Sequence, residues 1–415
     1  MRLSKSLIFV FLWAGAQVLA FPAHSNSIRG FQHPHLARDK AGIKATSSDA
    51  ESTTAPQYVV LLSRSSHAAS PTHARVGADV GHILSRVGLH VSHPSISHTY
   101  NNSGFRGFSG SLSADTLASL STMDEVEHVE PVVRVSTNSD VSSESDPDTA
   151  TSTTRPSSPW GLQRLSQPSS LSSLIFNTSL PTFNYTYTPS PAEPGAGADI
   201  YTLDTGLLTT HAALSPRARM GFSIEGAADL TPDSDENGHG THVAGTAAGS
   251  VFGVASGANV IGVKVLDADG TGSSADCLRG LDFVIQAHAA RRTSSGGGSG
   301  NGSTNGTSSG FVGSVANLSW ALPSNSSALA SAIAAAVQEG IHVVAAAGNE
   351  GRDACAASPA SSGGEGGPAI TVGSIGAVDD RVSSFSNWGD CVDVYAPGEG
   401  VLSSWIGEGG EVVKL

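Results

Sequence analysis

Residues 237–246 read NGHGTHVAGT and place a histidine between two glycines. Gly238 and Gly240 flank His239 and allow other backbone to approach it closely. The small residues that follow predict a tightly packed helix over 241–249. His239 therefore stands at the entry of a helix, where we expect it to face a cleft as a general base.

Two other interpretations of this histidine stay open. His239 and His242 are three residues apart and can share one helix face, as a pair of metal ligands does, although no third ligand follows at a recognisable spacing. The two rings can also have a purely structural role.

Short, almost entirely apolar segments alternate with helical ones around this stretch. They predict strands near 198–203, 259–266, 313–318, 341–346 and 369–372. Further helices are predicted over 277–292 and 327–339. Such alternation is typical of a parallel sheet covered on both faces, so we expect an α/β fold with a doubly wound, mostly parallel sheet.

Two more polar residues stand where predicted strands end. Asp204 lies in YTLDTG (201–206), and Asn349 ends AAAGN (345–349). The carboxyl ends of parallel strands are where the sites of α/β proteins assemble. A carboxylate there can orient an imidazole, and an amide can donate to an oxyanion, although each short motif alone also fits an ordinary turn.

An aspartate, a histidine and such an asparagine, in this order, call for a nucleophilic serine further along. The residues from 350 to 415 contain no convincing one. An aspartic protease built on Asp204 is a distant alternative, because such enzymes need two carboxylates and no second motif of this kind appears.

Composition limits the partners. Charged residues are scarce at 14%, and 48 of 415 residues are glycine, which suits a secreted, loop-rich globular protein. A formal net charge of −14 disfavours nucleic acids and anionic membranes as partners.

The N-terminus predicts the secretory route. Arg2 and Lys5 precede an apolar stretch over 7–16, and residues 18–20 fit a cleavage site, so residues 1–20 are interpreted as a signal peptide. We expect a secreted, extracellular protein, with a vacuolar location as the alternative. Seven N-x-Ser/Thr sequons agree with this route, at Asn101, Asn177, Asn184, Asn301, Asn305, Asn317 and Asn325.

The chain divides into segments of different character. Residues 21–56 are polar and irregular. Residues 57–136 predict a small α+β unit, with strands at 58–62, 104–112 and 126–135 and helices at 78–89 and 113–122. A Ser/Thr/Asp/Pro-rich linker over 137–158 precedes the larger domain at 159–415, which contains a Gly/Ser/Asn insertion at 293–310, expected to be a flexible loop.

The three cysteines cannot all pair. Cys355 and Cys391 flank a stretch of loop and strand, and Cys277 at a helix start is expected to be reduced and buried. Three unrelated small apolar residues remain the alternative.

Taken together, the Asp204, His239 and Asn349 segments resemble the subtilisin-like serine proteases, most closely the fungal proteinase K and cerevisin-like group. Residues 57–136 are similar to the inhibitory propeptide of that family, and WGLQRL (160–165) is similar to its mature N-terminal segment. The resemblance implies a monomeric proenzyme that hydrolyses polypeptides, is inhibited by its own propeptide and is cleaved within the linker.

The resemblance also implies roles for individual residues. Asp204 orients His239, His239 deprotonates the serine, and Asn349 stabilises the oxyanion. A disulfide between Cys355 and Cys391 is implied as well.

No cofactor is required by the resemblance, but a structural calcium ion is implied. Its ligands are the carbonyls of Pro368 and Ile370 and the side chain of Asp393, which are oxygen donors of the kind calcium prefers.

One departure from the family concerns the substrate bed. SWALP (319–323) stands where the family has Ser-Leu-Gly-Gly, whose glycines let a substrate strand lie alongside. We expect Trp320, Ala321 and Leu322 to crowd that bed, and Pro323 to remove a backbone donor.

The other departure concerns the nucleophile. The match continues through SSWIG (403–407), after which relatives reach a Gly-Thr-Ser-Met-Ala motif that opens a central helix, whereas this sequence ends in GGEVVKL (409–415). Ser403 and Ser404 align with non-catalytic residues. We therefore expect a C-terminally incomplete peptidase domain whose serine lies beyond Leu415; the alternative is an inactive homologue that acts as a binding or inhibitory protein.

Overall fold

The computed structural model describes two packed units and their connections. Its described residues are 56–63, 79–137, 142–143, 154–167, 171, 183–186, 193–226, 230–231, 234–296, 310–377, 379–407 and 412–414. The predicted signal peptide and most of the predicted linker lie outside these residues. None of the helices in the described residues combines the length and the hydropathy of a membrane-spanning segment.

The first unit is a four-stranded antiparallel sheet with two helices. Its elements are β1 (Gln57–Leu62), α1 (Val80–Arg86), β2 (Ile96–Asn101), β3 (Arg106–Ser111), α2 (Ala114–Ser121) and β4 (Val126–Pro131), with strand order β2-β3-β1-β4. Side chains alternate along β1, so Val60 and Leu62 pack in the unit's own core, whereas Val59 and Leu61 belong to the core of the larger unit. The sheet is therefore held against the second unit by one apolar face.

The elements of this unit differ from the predicted ones in three places. Strand β2 was not predicted, because Tyr100 is its one buried residue and the apolar alternation is weak. Helix α1 is shorter than predicted, since it starts after the N-cap Asp79 and ends at Arg86. The single strand predicted over 126–135 is β4 followed by β5 (Arg134–Ser136), which leaves this sheet and pairs with the larger unit.

Shorter elements connect the two units. They are β6 (Ser142–Ser143), β7 (Thr154–Ser158), α3 (Trp160–Leu165) and β8 (Phe183–Thr186), where β7 pairs with β8. Trp160 is fully buried and its Nε1 donates to the carbonyl of Gly400 at 3.2 Å. This tryptophan anchors the start of the larger unit.

The second unit is built on a seven-stranded sheet in which every neighbouring pair is parallel. In chain order its elements are β9 (Ala198–Asp204), β10 (Ala218–Ser223), α4 (His239–Ala248), β11 (Asn259–Lys264), β12 (Thr271–Ser273), α5 (Ser274–Gly296), β13 (Gly313–Leu318), α6 (Ser327–Gln338), β14 (Ile341–Ala346), β15 (Ile370–Ile375) and β16 (Val394–Pro397). The sheet order is β10-β11-β9-β13-β14-β15-β16. Strands β17 (Leu402–Ser404) and β18 (Val412–Lys414) pair beside it, and β18 also pairs with β6.

Helices cover both faces, which confirms the doubly wound α/β fold. Tyr201 and Leu203 of β9 pack in the core with α5 and α6, whereas Ile200 packs on the opposite face with Ala244 of α4. The edge strands β10 and β16 were not predicted, because most of their residues are only partly buried. Helix α5 continues to Gly296, so the first residues of the predicted flexible insertion are helical; residues 297–309 lie outside the described part.

Candidate active site

Asp204 and His239 form a buried pair at the carboxyl edge of the sheet. Asp204 ends β9 and is fully buried, and His239 begins α4 with its side chain 11% exposed. The Nδ1 atom of His239 lies 2.7 Å from Asp204 Oδ1, which also accepts a hydrogen bond from the amide of Thr205 at 2.8 Å. Because an ionised carboxylate only accepts, Nδ1 donates, and Nε2 is the nitrogen that can take a proton from another group.

The electrostatic surroundings raise the pKa of His239. Burial of the ring favours the neutral imidazole, but the charge of Asp204, its hydrogen bond and the charge of Asp235 outweigh that effect. A base with a raised pKa holds an abstracted proton more firmly. The pair thus has the chemistry of a general base with its orienting carboxylate.

Asn349 follows β14 in a turn that a buried asparagine organises. Asn387 Nδ2 donates to the carbonyl of Ala347 at 2.9 Å, and its Oδ1 accepts from the amide of Glu350 at 3.1 Å. Gly348 in this turn has φ +100°, and a Cβ there would lie 2.4 Å from Asn387 Nδ2, so the turn requires glycine. The position of Asn349 therefore depends on a residue distant in the sequence.

One open cavity joins the candidate residues. It has a volume of about 1040 Å³ and is lined by both His239 and Asn349. Its apolar floor is the α4 face of the sheet, formed by Ile200, Val315, Val344 and Val372. Asp204 does not line the cavity, but it is hydrogen-bonded to His239, which does, so the structure brings the three predicted residues to one edge of the sheet.

The tail of the first unit enters this site as an added strand. Residues 134–136 pair antiparallel with 271–273, and on the other side Ser136 and Ala321 exchange backbone hydrogen bonds. Thr137, the next residue, lines the cavity together with His239. The tail therefore lies in the position that an extended peptide takes by strand addition.

The expected crowding of this bed is wrong. Trp320 is turned into the core, 2% exposed, and its Nε1 donates to the carbonyl of Leu203 at 2.9 Å. Leu322 is buried as well, at 1% exposed. Since side chains alternate along an extended segment, the backbone of Ala321 is left at the edge with both its donor and its acceptor available to the tail.

Polar contacts also hold the first unit on helices α5 and α6. Glu130 accepts hydrogen bonds from Ser326 Oγ and from the amide of Ser327, each at 2.8 Å, and so caps the start of α6. Asn102 Nδ2 donates to Asp282 Oδ1 on α5 at 2.6 Å. These contacts add specificity to the apolar packing of β1.

The two serines near the end of the match are used in packing. Ser403 and Ser404 are fully buried in β17, and their hydroxyls donate to the carbonyls of His242 and Thr241 at 2.9 and 3.0 Å. Both hydroxyls are thus bound to the backbone of α4. This arrangement agrees with the interpretation that neither serine is a nucleophile.

His239 and His242 have separate hydrogen-bond partners. The Nε2 atom of His242 lies 3.0 Å from the carbonyl oxygen of Val401, and its ring packs edge-on against Trp405. Among the described residues, no three His, Cys, Asp or Glu side chains gather as metal ligands would. These contacts favour a structural role for His242.

The cysteines have the arrangement expected from the resemblance for Cys355 and Cys391 and from the helix start for Cys277. Cys355 and Cys391 form a disulfide, which links segments on either side of β15. Cys277 is unpaired and buried, and burial raises the pKa of its thiol well above the usual value. Cys277 is therefore a core residue in its reduced form.

Of the expected calcium ligands, Pro368 lies just before β15, Ile370 begins it, and Asp393 comes directly before β16. Asp393 Oδ2 accepts hydrogen bonds from the amides of Thr371 at 2.8 Å and Gly364 at 3.1 Å. Pro368 and Ile370 precede Thr371 in the same segment. Carboxylate and carbonyl oxygens are donors of the kind that calcium binds.

Three buried polar residues of the site were missed by the sequence analysis: Asp235, Lys264 and Asn387. A lysine inside an otherwise apolar strand is a signal that could have found Lys264, since lysine is almost never fully buried without a partner. Asp235 stands four residues before His239, but aspartate in a polar loop is too common to be singled out.

Comparisons with known proteins identify the family of this chain. The family model of the subtilase family, peptidase S8, matches residues 195–411, and that of peptidase inhibitor I9 matches residues 57–138. Over 316 residues the chain is 39% identical to the subtilisin-like proteinase Spm1 of Pyricularia oryzae, covering 75% of this chain and 53% of Spm1. Over 335 residues it is 35% identical to subtilisin-like protease 2 of Pseudogymnoascus destructans, and the match covers 80% of this chain and 68% of that protein.

A solved structure, the crystal structure of a cold adapted subtilisin-like serine proteinase, is 36% identical, with a TM-score of 0.45 and coverage of 60% of this chain and 76% of that chain. The chain spans about half the length of several of its relatives, for example 53% of Spm1 and 49% of the subtilisin-like serine protease pepC of Aspergillus niger. The peptidase and inhibitor matches, taken with the identity to subtilisin-like protease 2, show that the chain belongs to the subtilase family and carries an inhibitor I9 domain before its peptidase domain.

Proposed function

We propose that this chain is the proenzyme of a secreted subtilisin-like serine endopeptidase, whose nucleophilic serine lies beyond Leu415. The observation that carries the proposal is the 2.7 Å contact between His239 Nδ1 and Asp204 Oδ1, beside a cavity that the inhibitor tail enters. In this mechanism Nε2 of His239 takes the proton of the serine hydroxyl as its oxygen attacks the peptide carbonyl. The same proton then passes to the leaving amine, and Asp204 stabilises the imidazolium.

Asn349 completes the proposed mechanism by donating its side-chain amide to the oxyanion, a contribution of roughly 3–4 kcal/mol in such enzymes. The substrate is an extended polypeptide that pairs with β12 and Ala321 as β5 does. Since β5 and a substrate need the same backbone partners, the inhibitor domain blocks its own peptidase until the chain is cut within 137–158.

The apolar floor of the cavity supports a segment beyond Leu415. Ile200, Val315 and Val344 lie beneath open space on the α4 face of the sheet. These side chains are only 3–5% exposed, so a helix seated there would fill the cavity above them and add packing contacts rather than remove them from water. A serine at the start of that helix would stand near His239.

The test compares two products. Sequencing of the transcript past the codon for Leu415 should give an in-frame Gly-Thr-Ser. The longer product should then be labelled by a serine-directed fluorophosphonate at that serine, and His239→Ala should lose the labelling. The chain ending at Leu415 should not be labelled; its labelling, or a stop codon directly after Leu415, would overturn the proposal.

A second function, an inactive homologue that binds or inhibits, is favoured by one observation: β5 already fills the peptide position from both sides. It predicts a transcript that stops after Leu415 and a purified chain that inhibits a related subtilase at stoichiometric concentration. Absence of inhibition, together with a longer labelled product, excludes it.

The proposed secretion and monomeric state rest on residues 1–20, the sequons and the family. Expression in a fungal host should release a product whose N-terminus begins near Phe21 or within 137–158, with a mass that falls after glycosidase treatment. A product retained in the vacuole supports the alternative location. Light scattering checks the monomer.

We also propose a structural calcium ion at Asp393, Pro368 and Ile370. Chelation should lower the melting temperature of the full chain, and Asp393→Asn should remove that difference. Asp390→Asn, at an exposed position nearby, is the control, and chelation should still lower the melting temperature of this variant. An equal response of all three proteins to chelation would rule the site out.

A further inference from the structure

We propose that Asp235 is a positioning residue for the Asp204–His239 pair, a role that rests on the proposed function for its catalytic consequence. Asp235 is 2% exposed and stands four residues before His239. It does not contact the imidazole, so it acts through the backbone and through its charge.

The two oxygens of Asp235 join the end of strand β9 to the first turn of helix α4. Oδ1 accepts hydrogen bonds from Thr205 Oγ1 and from the amide of Gly238, each at 2.8 Å. Oδ2 accepts from the amide and the hydroxyl of Thr241 at 2.8 and 2.6 Å. A carboxylate is the one small side chain that can accept all four of these bonds, because an amide has one oxygen only.

Helix α4 needs this support because its own cap is weak. The N-cap is Gly238 with φ +100°, and it makes no side-chain capping bond. Asp235 accepts from the Thr241 amide in place of a capping side chain, and its negative charge lies at the positive end of the helix. Thr205 Oγ1 extends the link by accepting from the amide of Gly240 at 3.0 Å. The residues on both sides of His239 are therefore held to the residue after Asp204.

A buried lysine holds the loop that carries Asp235. Lys264 is fully buried, and its Nζ donates to the carbonyls of Thr205 at 2.8 Å and Ser234 at 3.1 Å and to Glu236 Oε2 at 2.6 Å. Ser234 and Glu236 flank Asp235 in the chain. Since Lys264 pairs with Asp204 across neighbouring strands, the loop is fixed to the sheet itself.

The charge of Asp235 has an effect that is separable from its hydrogen bonds. Among the described residues, the titratable and charged groups linked to the His239 site are Asp204 of β9, Asp235 and Glu236 of the preceding loop, His242 of α4, Lys264 of β11, Cys277 of α5 and Glu399 after β16. Asp235 and Asp204 both favour the protonated ring. Removing the charge of Asp235 should lower the pKa of His239, whereas removing only a hydrogen bond should loosen the helix start.

The experiment uses the full chain and reads His239 directly. Modification of its neutral imidazole by diethyl pyrocarbonate is followed against pH by mass spectrometry, and amide exchange is measured over 238–241. Asp235→Asn should move the modification midpoint to lower pH and speed the exchange by about tenfold, as expected for the loss of a buried charged hydrogen bond. The control is Asp199→Asn, a carboxylate 1% exposed at the opposite end of β9, which should change neither readout.

A second variant separates geometry from charge. Thr205→Val removes the hydroxyl link but keeps Asp235, so the exchange over 238–241 should rise without a shift of the midpoint. The proposal is overturned if Asp235→Asn matches Asp199→Asn in both readouts. If Asp235→Asn does not fold, Thr205→Val decides, and unchanged exchange overturns the proposal. Because neither readout needs the serine, failure here is distinguishable from failure of the proposed function.

Discussion

Ser136 of the inhibitor tail and Ala321 of the peptidase domain exchange two backbone hydrogen bonds, with N···O distances of 3.5 and 3.3 Å. Together with the pairing of 134–136 to 271–273, they make the tail the middle of three extended segments. Backbone groups provide this recognition, so it depends on few side chains.

Ala321→Pro removes one of these donors, and we expect it to loosen the tail. Trypsin should then cut the folded chain after Arg134, an exposed residue of β5, about tenfold faster, since a backbone hydrogen bond contributes about 1 kcal/mol. Ala321→Ser keeps the amide and should be cut at the original rate. Equal rates for both variants would contradict the proposed docking.

Glu130→Gln should destabilise the contact between the inhibitor domain and α6. The substitution removes the charge from the first turn of the helix and leaves one oxygen to serve Ser326 and Ser327, a loss of about 1 kcal/mol in the free energy of unfolding. Urea denaturation measures it. Glu127→Gln, an exposed position of the same strand, is the control, and the same loss there would show that Glu130 is not a cap.

Trp320 should contribute to stability rather than obstruct the bed. Trp320→Phe leaves the carbonyl of Leu203 without its 2.9 Å partner and should cost about 1–3 kcal/mol. Trp320→Ala should cost about 3–5 kcal/mol because it also leaves a cavity. Trp388→Phe is the control, since Trp388 is 52% exposed. The free energy of unfolding of this variant should stay near that of the original chain.

The raised pKa of His239 makes stability depend on pH. The protonated ring is favoured in the folded chain, so its contribution is fully present below the unfolded value of about 6.5 and is lost as pH rises through the higher folded pKa. The urea midpoint should fall across that window in the original chain and less in His239→Gln. His342→Gln removes a histidine whose pKa is lowered by burial, so the urea midpoint of this variant should still fall across the same pH window. Identical pH slopes for His239→Gln and the original chain would refute the coupling.

The disulfide should contribute about 3–4 kcal/mol, because it closes a sequence separation of 36 residues in the unfolded chain. Cys355→Ser with Cys391→Ser should lower the unfolding free energy by about that amount, measured in urea.

Thiol titration without reductant should find Cys277 unreactive in the folded chain and reactive in denaturant. A thiol that reacts at once in the folded chain would contradict its burial.

Local sequence patterns predicted most of the fold. The mostly apolar runs at 198–203, 313–318 and 341–346 predicted three central strands because a strand buried on both faces contains few polar residues. The edge strands β10 and β16 were not predicted, because most of their residues are only partly buried and do not form an apolar run. The single strand predicted over 126–135 was wrong because a change of partner sheet leaves no trace in the residues themselves.

The parallel α/β architecture follows from local sequence patterns, as do the positions of Asp204 and His239 at the ends of their elements and of Asn349 after β14. The inward turn of Trp320 and the link that Asp235 makes between strand and helix depend on tertiary packing. The reason is the distance along the chain between partners: Trp320 bonds Leu203, 117 residues away, and Asp235 bonds Thr205, 30 residues away. Periodicity reports which face of an element is buried, whereas the partner of a buried polar group is chosen when separate segments pack together.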